Sequence, residues 1–145
     1  QGYNCILSEP NTTYNLDYYK IIALPINHTI ENNCLVISDY KNKRNYLYAT
    51  DLTNLDYKFN NKFDIAMIEI NYDTDTLASK FDKINNQRIN NKIYGHLSFE
   101  TFVFQKLYNL SDTFVIMHYT NDFLNKTLIE NFLKQKNKNV IFSNN

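Results

Sequence analysis

The sequence predicts a mostly-β domain in which eight antiparallel strands, connected up and down, close into a barrel. One C-terminal α-helix packs outside this barrel and a short ninth strand follows it. Three observations lead to this prediction: short runs of β-branched and aromatic residues recur along the chain, Asn and Asp clusters separate them, and the hydrophobic period changes near the end. A sheet of this kind must close or pack to hide its edges, and the late helix favours a closed barrel.

Eight segments have the composition of strands. They are residues 18–26, 34–40, 45–51, 63–72, 76–84, 92–98, 101–108 and 112–119. The chain has only two Gly and two Pro, so Asn must supply most turns. Among non-glycine residues, Asn adopts the left-handed conformation most readily.

The last part of the chain has the period of a helix. Asn121 or Asp122 can cap a helix of about 14 residues. Apolar residues recur at every fourth position, at Leu124, Leu128 and Phe132. This spacing predicts an amphipathic helix with one face docked on the sheet. A short closing strand is predicted over residues 140–143.

Composition limits the classes of function. Fifteen Lys and Arg balance fifteen Asp and Glu, so the formal net charge is zero, and the basic surface that nucleic-acid binding requires is missing. A hydrophobic fraction of 43% is too high for a disordered chain. No apolar run reaches the length of about 18 residues that a membrane-spanning helix needs. Residues 1–145 therefore form one predicted domain with no nucleic-acid partner and no membrane span.

Several features favour a secreted, extracellular glycoprotein. The sequence starts at Gln1, and its two cysteines, Cys5 and Cys34, can form one disulfide that closes a loop of about 28 residues. Four Asn residues stand in glycosylation sequons: Asn11, Asn27, Asn109 and Asn125. The alternative is a cytosolic protein with two free thiols.

The residues that carry chemistry are scattered. His28, His96 and His118 lie far apart, without the spacing of metal ligands. The segment from Asp73 to Asp75 lacks the Gly and the terminal Glu of a calcium loop, which predicts a solvated hairpin turn. No phosphate loop or nucleophile motif is present. The sequence thus predicts no metal, no cofactor and no enzymatic activity.

Three stretches resemble the signatures of the lipocalin family. Residues 14–25 look like the first-strand signature Gly-x-Trp-Tyr followed by an apolar strand and Pro. Leu16 stands in place of the Gly, Tyr18 stands in place of the Trp, and Tyr19 matches.

The other two stretches lie later in the chain. Residues 97–102 are similar to a Thr-Asp-Tyr-x-x-Tyr turn, with its aromatic spacing retained as Phe99 and Phe102. Residues 114–120 resemble the final barrel strand, with Tyr119 in place of the family's Arg. The resemblance implies that Tyr18 and Tyr119 stack at the base of the barrel, where the family has its Trp and Arg.

The resemblance implies a secreted carrier or scavenger that holds a fatty acid, a bilin-like molecule or a biogenic amine in the barrel. Alternation along the strands and the alignment to the family predict twelve ligand-binding residues. They are Leu35, Ile37, Asp39, Tyr40, Ile65, Met67, Glu69, Tyr94, Phe102, Phe104, Val115 and Met117. Asp39 and Glu69 each interrupt an apolar strand, so each either binds an amine or lies at a wet rim.

Two alternatives stay open beside the carrier. One is a secreted interaction or structural protein on a barrel filled by its own side chains, without a ligand. The other is an enzyme on an α+β fold, in which carboxylates or His96 converge in a cleft.

Overall fold

The described part of the chain contains one open sheet of seven strands, and these strands are ordered as they occur in the chain. The computed structural model describes residues 9–80 and 86–143. The strands are β1 (Thr13–Asn15), β2 (Tyr19–Ile26), β3 (Asn32–Asp39), β4 (Arg44–Ala49), β5 (Ile65–Glu69), β6 (Thr113–Met117) and β7 (Asn139–Phe142). The helices are α1 (Thr74–Ala78), α2 (Asn86–Gly95), α3 (Phe99–Phe104) and α4 (Lys126–Gln135), and a 3₁₀ turn spans Leu107–Asn109.

The sheet is antiparallel from β1 to β4 and parallel from β4 to β7. Residues 40–43 suffice to connect β3 and β4 as a hairpin. Parallel neighbours need crossovers of a dozen residues or more, and residues 50–64, 70–112 and 118–138 provide them. The carboxyl ends of β4, β5 and β6 therefore meet at one edge of the sheet.

The hydrophobic core lies on one face of the sheet. Leu47, Ala66 and Phe114 are register partners on β4, β5 and β6, and all three are fully buried. Phe102 of α3 packs edge-on against Phe114 with ring centroids 5.7 Å apart. The inner face of α4 adds Leu133 to the same cluster. Strand residues of the core alternate with residues that point to the opposite face.

The predicted C-terminal helix and closing strand are present. The helix begins at Lys126, where the Asn125 side chain accepts a hydrogen bond from the Leu128 amide, rather than at Asn121 or Asp122. That side chain satisfies one of the amides that the first turn of a helix leaves without partners. The strand spans Asn139–Phe142 and pairs with β6 in parallel.

Three predicted strands are wrong. Residues 76–84, 92–98 and 101–108 contain helical segments where the structure describes them, while residues 81–85 lie outside the described part. In α3 the Ser98 hydroxyl caps the helix by accepting from the Thr101 amide, and Phe99 and Phe102 enter the core from one side. The strand preference of aromatic and β-branched residues depends on packing, and here helix packing overrides it.

The closed antiparallel barrel is wrong, and so is the lipocalin resemblance. The sheet is mixed and open, with β1 and β7 at its two edges. Tyr18 and Tyr119 do not form a barrel base. Tyr18 is 56% exposed beside the start of β2, whereas Tyr119 is buried and donates from its hydroxyl to the Ser143 carbonyl.

Two further predictions concern the cysteines and the membrane. Cys34 is fully buried on β3 and forms no disulfide with any residue that the structure describes. Its predicted partner Cys5 lies outside the described residues, so the disulfide stays a prediction. Within residues 9–80 and 86–143, no helix has the length and apolar character needed to span a membrane.

Candidate metal centre

Four residues of metal-binding type meet at the edge formed by the carboxyl ends of the parallel strands. Asp51 follows β4, Glu69 is the last residue of β5, and His118 follows β6 directly. His96 comes from the segment between α2 and α3. In sheets with parallel strands, this edge is where ligands generally bind.

The ligand atoms of these four residues lie within 4.8 Å of one another. His96 Nδ1 is 2.6 Å from Glu69 Oε1. His118 Nδ1 is 3.1 Å from Asp51 Oδ1 and 3.6 Å from Glu69 Oε1. Two ring nitrogens and two carboxylates therefore point at a common centre.

The backbone around the centre is held in an uncommon conformation. Asp51 has a φ of 54° and His118 a φ of 49°, both in the left-handed region that non-glycine residues rarely adopt. The buried Asn71 side chain donates to the His118 backbone carbonyl at 2.6 Å, and the backbone amide of Asn71 donates to the Leu97 carbonyl at 2.9 Å. Asn71 therefore connects the two segments that carry the histidines. Such strain persists where surrounding contacts enforce it, which is common at functional sites.

Glu69 is the most enclosed of the four. Its side chain is fully buried, and its Oε2 accepts a hydrogen bond from the Leu52 amide at 3.2 Å. Burial is the largest influence on the pKa of Glu69 and raises it, but the interactions with His118 and His96 together outweigh burial. The pKa of Glu69 is therefore lowered from its ordinary value, which favours the carboxylate that a cation needs as a ligand.

Two of the candidate ligand atoms are not satisfied by hydrogen bonds, and a bound cation would satisfy them. Glu69 Oε1 and His96 Nδ1 are both buried, and neither has a partner in hydrogen-bond geometry although they lie 2.6 Å apart. Buried polar atoms without such partners are uncommon in folded proteins, and a bound ion can satisfy them. Asp51 and His118 are half-exposed, with 40% and 46% of their side chains accessible, so the centre is open on one side.

An open pocket of about 460 Å³ adjoins the centre. His28, Thr29 and Asn91 contribute to its wall beside the ligand residues. The ring of His28 lies 5.6 Å from the ring of His96, and its Nδ1 contacts the Gly95 carbonyl at 2.6 Å. This contact connects the loop after β2 to the end of α2. The pocket leaves room for a small molecule next to the four candidate metal-binding residues.

The structure disperses the twelve residues predicted to bind a ligand. Glu69 belongs to the candidate metal centre, Phe102 lies in the core, and Asp39 is buried with its carboxylate accepting hydrogen bonds from Asn42. Tyr40, Tyr94 and Phe104 are exposed. The remaining six lie on the face of the sheet opposite the core: Leu35, Ile37, Ile65, Met67, Val115 and Met117. No barrel interior surrounds them within the described part of the chain.

Sequence reasoning missed the convergence of Asp51, His96 and His118. A signal was present, because three residues of metal-binding type each stand at the end of an apolar strand run, at Asp51, Glu69 and His118. This pattern predicts a common site only if those three strands are parallel neighbours, because their carboxyl ends then meet at one edge of the sheet. The four sequon residues Asn11, Asn27, Asn109 and Asn125 are exposed, and their glycosylation and the secretion of the chain stay predictions.

Comparison with known proteins identifies the fold. No protein-family model matches the sequence, and no curated protein is significantly similar to it. The metallo-beta-lactamase fold protein YhfI from Bacillus subtilis superimposes with a TM-score of 0.65 at 14% identity, over 95% of this chain and 52% of that one. This chain shares the metallo-β-lactamase fold.

Other solved structures agree. A protein described as a Zn-dependent hydrolase of the metallo-β-lactamase superfamily from Thermotoga maritima matches with a TM-score of 0.53 at 14% identity, over 94% of this chain and 70% of that one. CmlA, a diiron β-hydroxylase from Streptomyces venezuelae, matches with a TM-score of 0.56 at 12% identity, over 90% of this chain and 31% of that one. The chain spans about half the length of the Bacillus protein.

These findings overturn the predicted carrier. Its premise was a barrel interior, and the described chain forms an open mixed sheet instead. The prediction that the chain is not an enzyme is overturned with it, because proteins of this fold include a hydrolase and a hydroxylase. At these identities the similarity establishes the fold, and the activity of this chain is a matter for proposal.

Proposed function

We propose that Asp51, Glu69, His96 and His118 bind a divalent metal ion, with zinc as the best fit, and that this centre serves a hydrolytic reaction. The observation that carries the proposal is the convergence of four ligand atoms within 4.8 Å. Imidazole nitrogen and carboxylate oxygen are both common zinc ligands. Two carboxylates supply two negative charges, which a divalent cation balances.

The chain itself provides the surroundings that such a centre needs. Glu69 is fully buried and accepts a hydrogen bond from the Leu52 amide, and the Asn71 side chain donates to the backbone carbonyl of His118. The pocket beside the centre is open and polar where Thr29 and Asn91 line it. When bound, the cation would supply a Lewis acid for polarising a substrate oxygen and activating water.

Metal binding is tested by isothermal titration with Zn²⁺ and by the metal content of the purified protein. We expect one saturable zinc site per chain. Asp51→Ala should weaken zinc binding on the order of 100-fold, since even changes around a ligand cost about 10- to 100-fold. Asp56→Ala is the matched control, because Asp56 lies exposed in the same connection and accepts from Gln105.

The outcome that contradicts the site is equal weakening by both substitutions, or no saturable zinc binding at all. A titration with Fe²⁺ under anaerobic conditions separates zinc preference from iron preference, because a diiron enzyme shares the fold.

Hydrolysis is tested separately with zinc-loaded protein and chromogenic carboxylic and phosphoric esters. We expect turnover that a chelator abolishes, that zinc restores, and that Asp51→Ala lacks while Asp56→Ala retains. Stoichiometric zinc binding without turnover on any ester would refute the hydrolytic half of the proposal and leave the metal site standing.

A further inference from the structure

Two of the four candidate metal-binding residues share an uncommon backbone conformation. Asp51 has a φ of 54° and His118 a φ of 49°, both in the left-handed region. In each case an asparagine side chain donates a hydrogen bond to the backbone carbonyl of that same residue. Asn32 donates to the Asp51 carbonyl at 3.1 Å, and Asn71 donates to the His118 carbonyl at 2.6 Å. The two contacts are alike in chemistry, although one asparagine begins β3 and the other follows β5.

We propose that Asn32 and Asn71 are positioning residues, which hold Asp51 and His118 in the left-handed conformation and thereby direct both side chains at the candidate metal centre. The backbone has two soft dihedral angles per residue, φ and ψ. The carbonyl of a residue turns with its ψ, so a hydrogen bond to that carbonyl restrains the angle. A strained conformation of this kind persists only where the surrounding structure enforces it. The two asparagine side chains supply that constraint.

Asn32 reaches Asp51 because of the strand register. The strands β3 and β4 pair antiparallel, and their register, continued past the last pair, sets Asn32 opposite Asp51. The Asn32 side chain donates to the Thr50 carbonyl at 2.8 Å as well as to the Asp51 carbonyl. Its own Oδ1 accepts from the Asn33 amide at 2.9 Å, which turns the NH₂ group towards the two carbonyls. The side chain is thus fixed at both ends.

The bond from Asn32 also acts on a third member of the centre. The Asp51 carbonyl and the Leu52 amide belong to one planar peptide unit. Asn32 holds the carbonyl of this unit, and the Leu52 amide donates to Glu69 Oε2 at 3.2 Å. Rotation of the peptide would withdraw this donor from the buried Glu69 carboxylate. Asn32 therefore positions both carboxylates of the centre.

Asn71 holds the segment after β6 at two points. It is 1% exposed and stands two residues after Glu69. Its side chain donates to the His118 carbonyl, and its own backbone carbonyl accepts from the Thr120 amide at 3.4 Å. These two bonds restrain the backbone that follows the ring of His118. Without the side chain, the segment would keep only the backbone bond.

The expected effect on zinc rests on the proposed metal site. Loss of a group that orients a metal ligand typically weakens metal binding by about 10- to 100-fold. Asn32→Ala and Asn71→Ala should each raise the zinc dissociation constant by about this factor, measured in competition with a chromophoric chelator. Asn42→Ala is the matched control, because Asn42 donates to the Asp39 carboxylate at 2.7 Å in the hairpin at the other end of β3. It should leave the zinc dissociation constant unchanged.

Double-mutant cycles separate positioning from general support of the fold. Asn71→Ala should have little further effect on zinc affinity once His118 is replaced by Ala, and its full effect when Asp51 is replaced instead. Asn32→Ala should keep its full effect in the His118→Ala background and lose part of it in the Asp51→Ala background. An equal effect of either asparagine in all backgrounds would overturn the proposal.

The backbone is measured without metal, from NMR chemical shifts that report φ and ψ. Asn71→Ala should move His118 out of the left-handed conformation and leave Asp51 unchanged, and Asn32→Ala should do the reverse. If both residues keep their conformation in both variants, the proposal is wrong whatever happens to zinc affinity. If the wild-type protein binds no zinc, the metal site fails, and this measurement still decides what the asparagines hold. Asn32 is only half-buried, so its variant decides if Asn71→Ala does not fold.

Discussion

Asp73 connects two helices that lie far apart in the sequence, and removing its side chain should lower the free energy of unfolding. Its side chain is buried, with Oδ1 accepting from the Thr76 amide at 2.8 Å and Oδ2 accepting from the Asn125 amide at 2.7 Å. The first bond caps α1. The second holds the residue that in turn caps α4. Asp73→Ala therefore removes a helix cap and a contact between elements in one step.

The expected loss follows from these two bonds. An N-cap contributes about 0.5–2 kcal/mol, and a hydrogen bond to a charged group about 1.5–3 kcal/mol. Together they predict that Asp73→Ala lowers the free energy of unfolding by about 2–4 kcal/mol. For a chain of this size, that corresponds to a melting temperature lower by about 6–12 °C. Asp73→Asn keeps one acceptor and should lose about half as much.

Urea denaturation followed by circular dichroism measures this loss. Asp75→Ala is the control, since Asp75 is exposed in the first turn of the same helix. Its favourable position near the helix N-terminus is worth less than about 1 kcal/mol. If Asp73→Ala and Asp75→Ala cost the same, the buried carboxylate does not connect the helices in the way described.

Three further predictions concern the core, an ion cluster and the thiol. Phe114→Ala should cost about 3–5 kcal/mol in chemical denaturation, because Phe114 is fully buried against Phe102; a cost below about 1 kcal/mol would contradict the core assignment. Lys138 and Lys62 lower the pKa of Asp112 from 3.8 to about 2. The ion pairs of Asp112 therefore stabilise the fold above pH 3.8, and this stabilisation is lost as the pH falls towards 2. Asp112→Asn should make the free energy of unfolding depend less on pH between those values. An unchanged pH dependence in that range would argue against the ion pairs. Burial raises the pKa of Cys34 to about 11. In a Cys5→Ser background, native protein should therefore react with iodoacetamide far more slowly than unfolded protein. Equal reaction rates would contradict the burial of Cys34.

Local patterns in the sequence predict many of the elements. The strands β2, β5 and β6 lie within predicted strands, and β3 and β4 overlap with predicted strands. The period of four predicts α4. Alternation predicts that Leu35 and Val115 share one face, and the structure places them on one face. These features depend on neighbours within a few residues, so composition and period suffice to predict them.

Local patterns fail where distant contacts decide the conformation. Phe102 and Val103 have the composition of a strand, but the Ser98 cap and the burial of Phe102 against Phe114 make the segment helical. The sequence around Asp73 predicts a solvated turn, but Asp73 is buried and accepts a hydrogen bond from the backbone amide of Asn125, which caps a helix far along the chain. In both cases the partner lies outside any local window.

The β-rich strand pattern, the late amphipathic helix and the neutral charge were determined by the sequence alone. Only the tertiary structure decided that β4, β5, β6 and β7 run parallel, which leaves the sheet open in place of the barrel. The physical reason is that strand direction depends on the path of long crossovers, and residue composition does not encode that path. The same crossovers bring Asp51, Glu69 and His118 to one edge, where they meet His96.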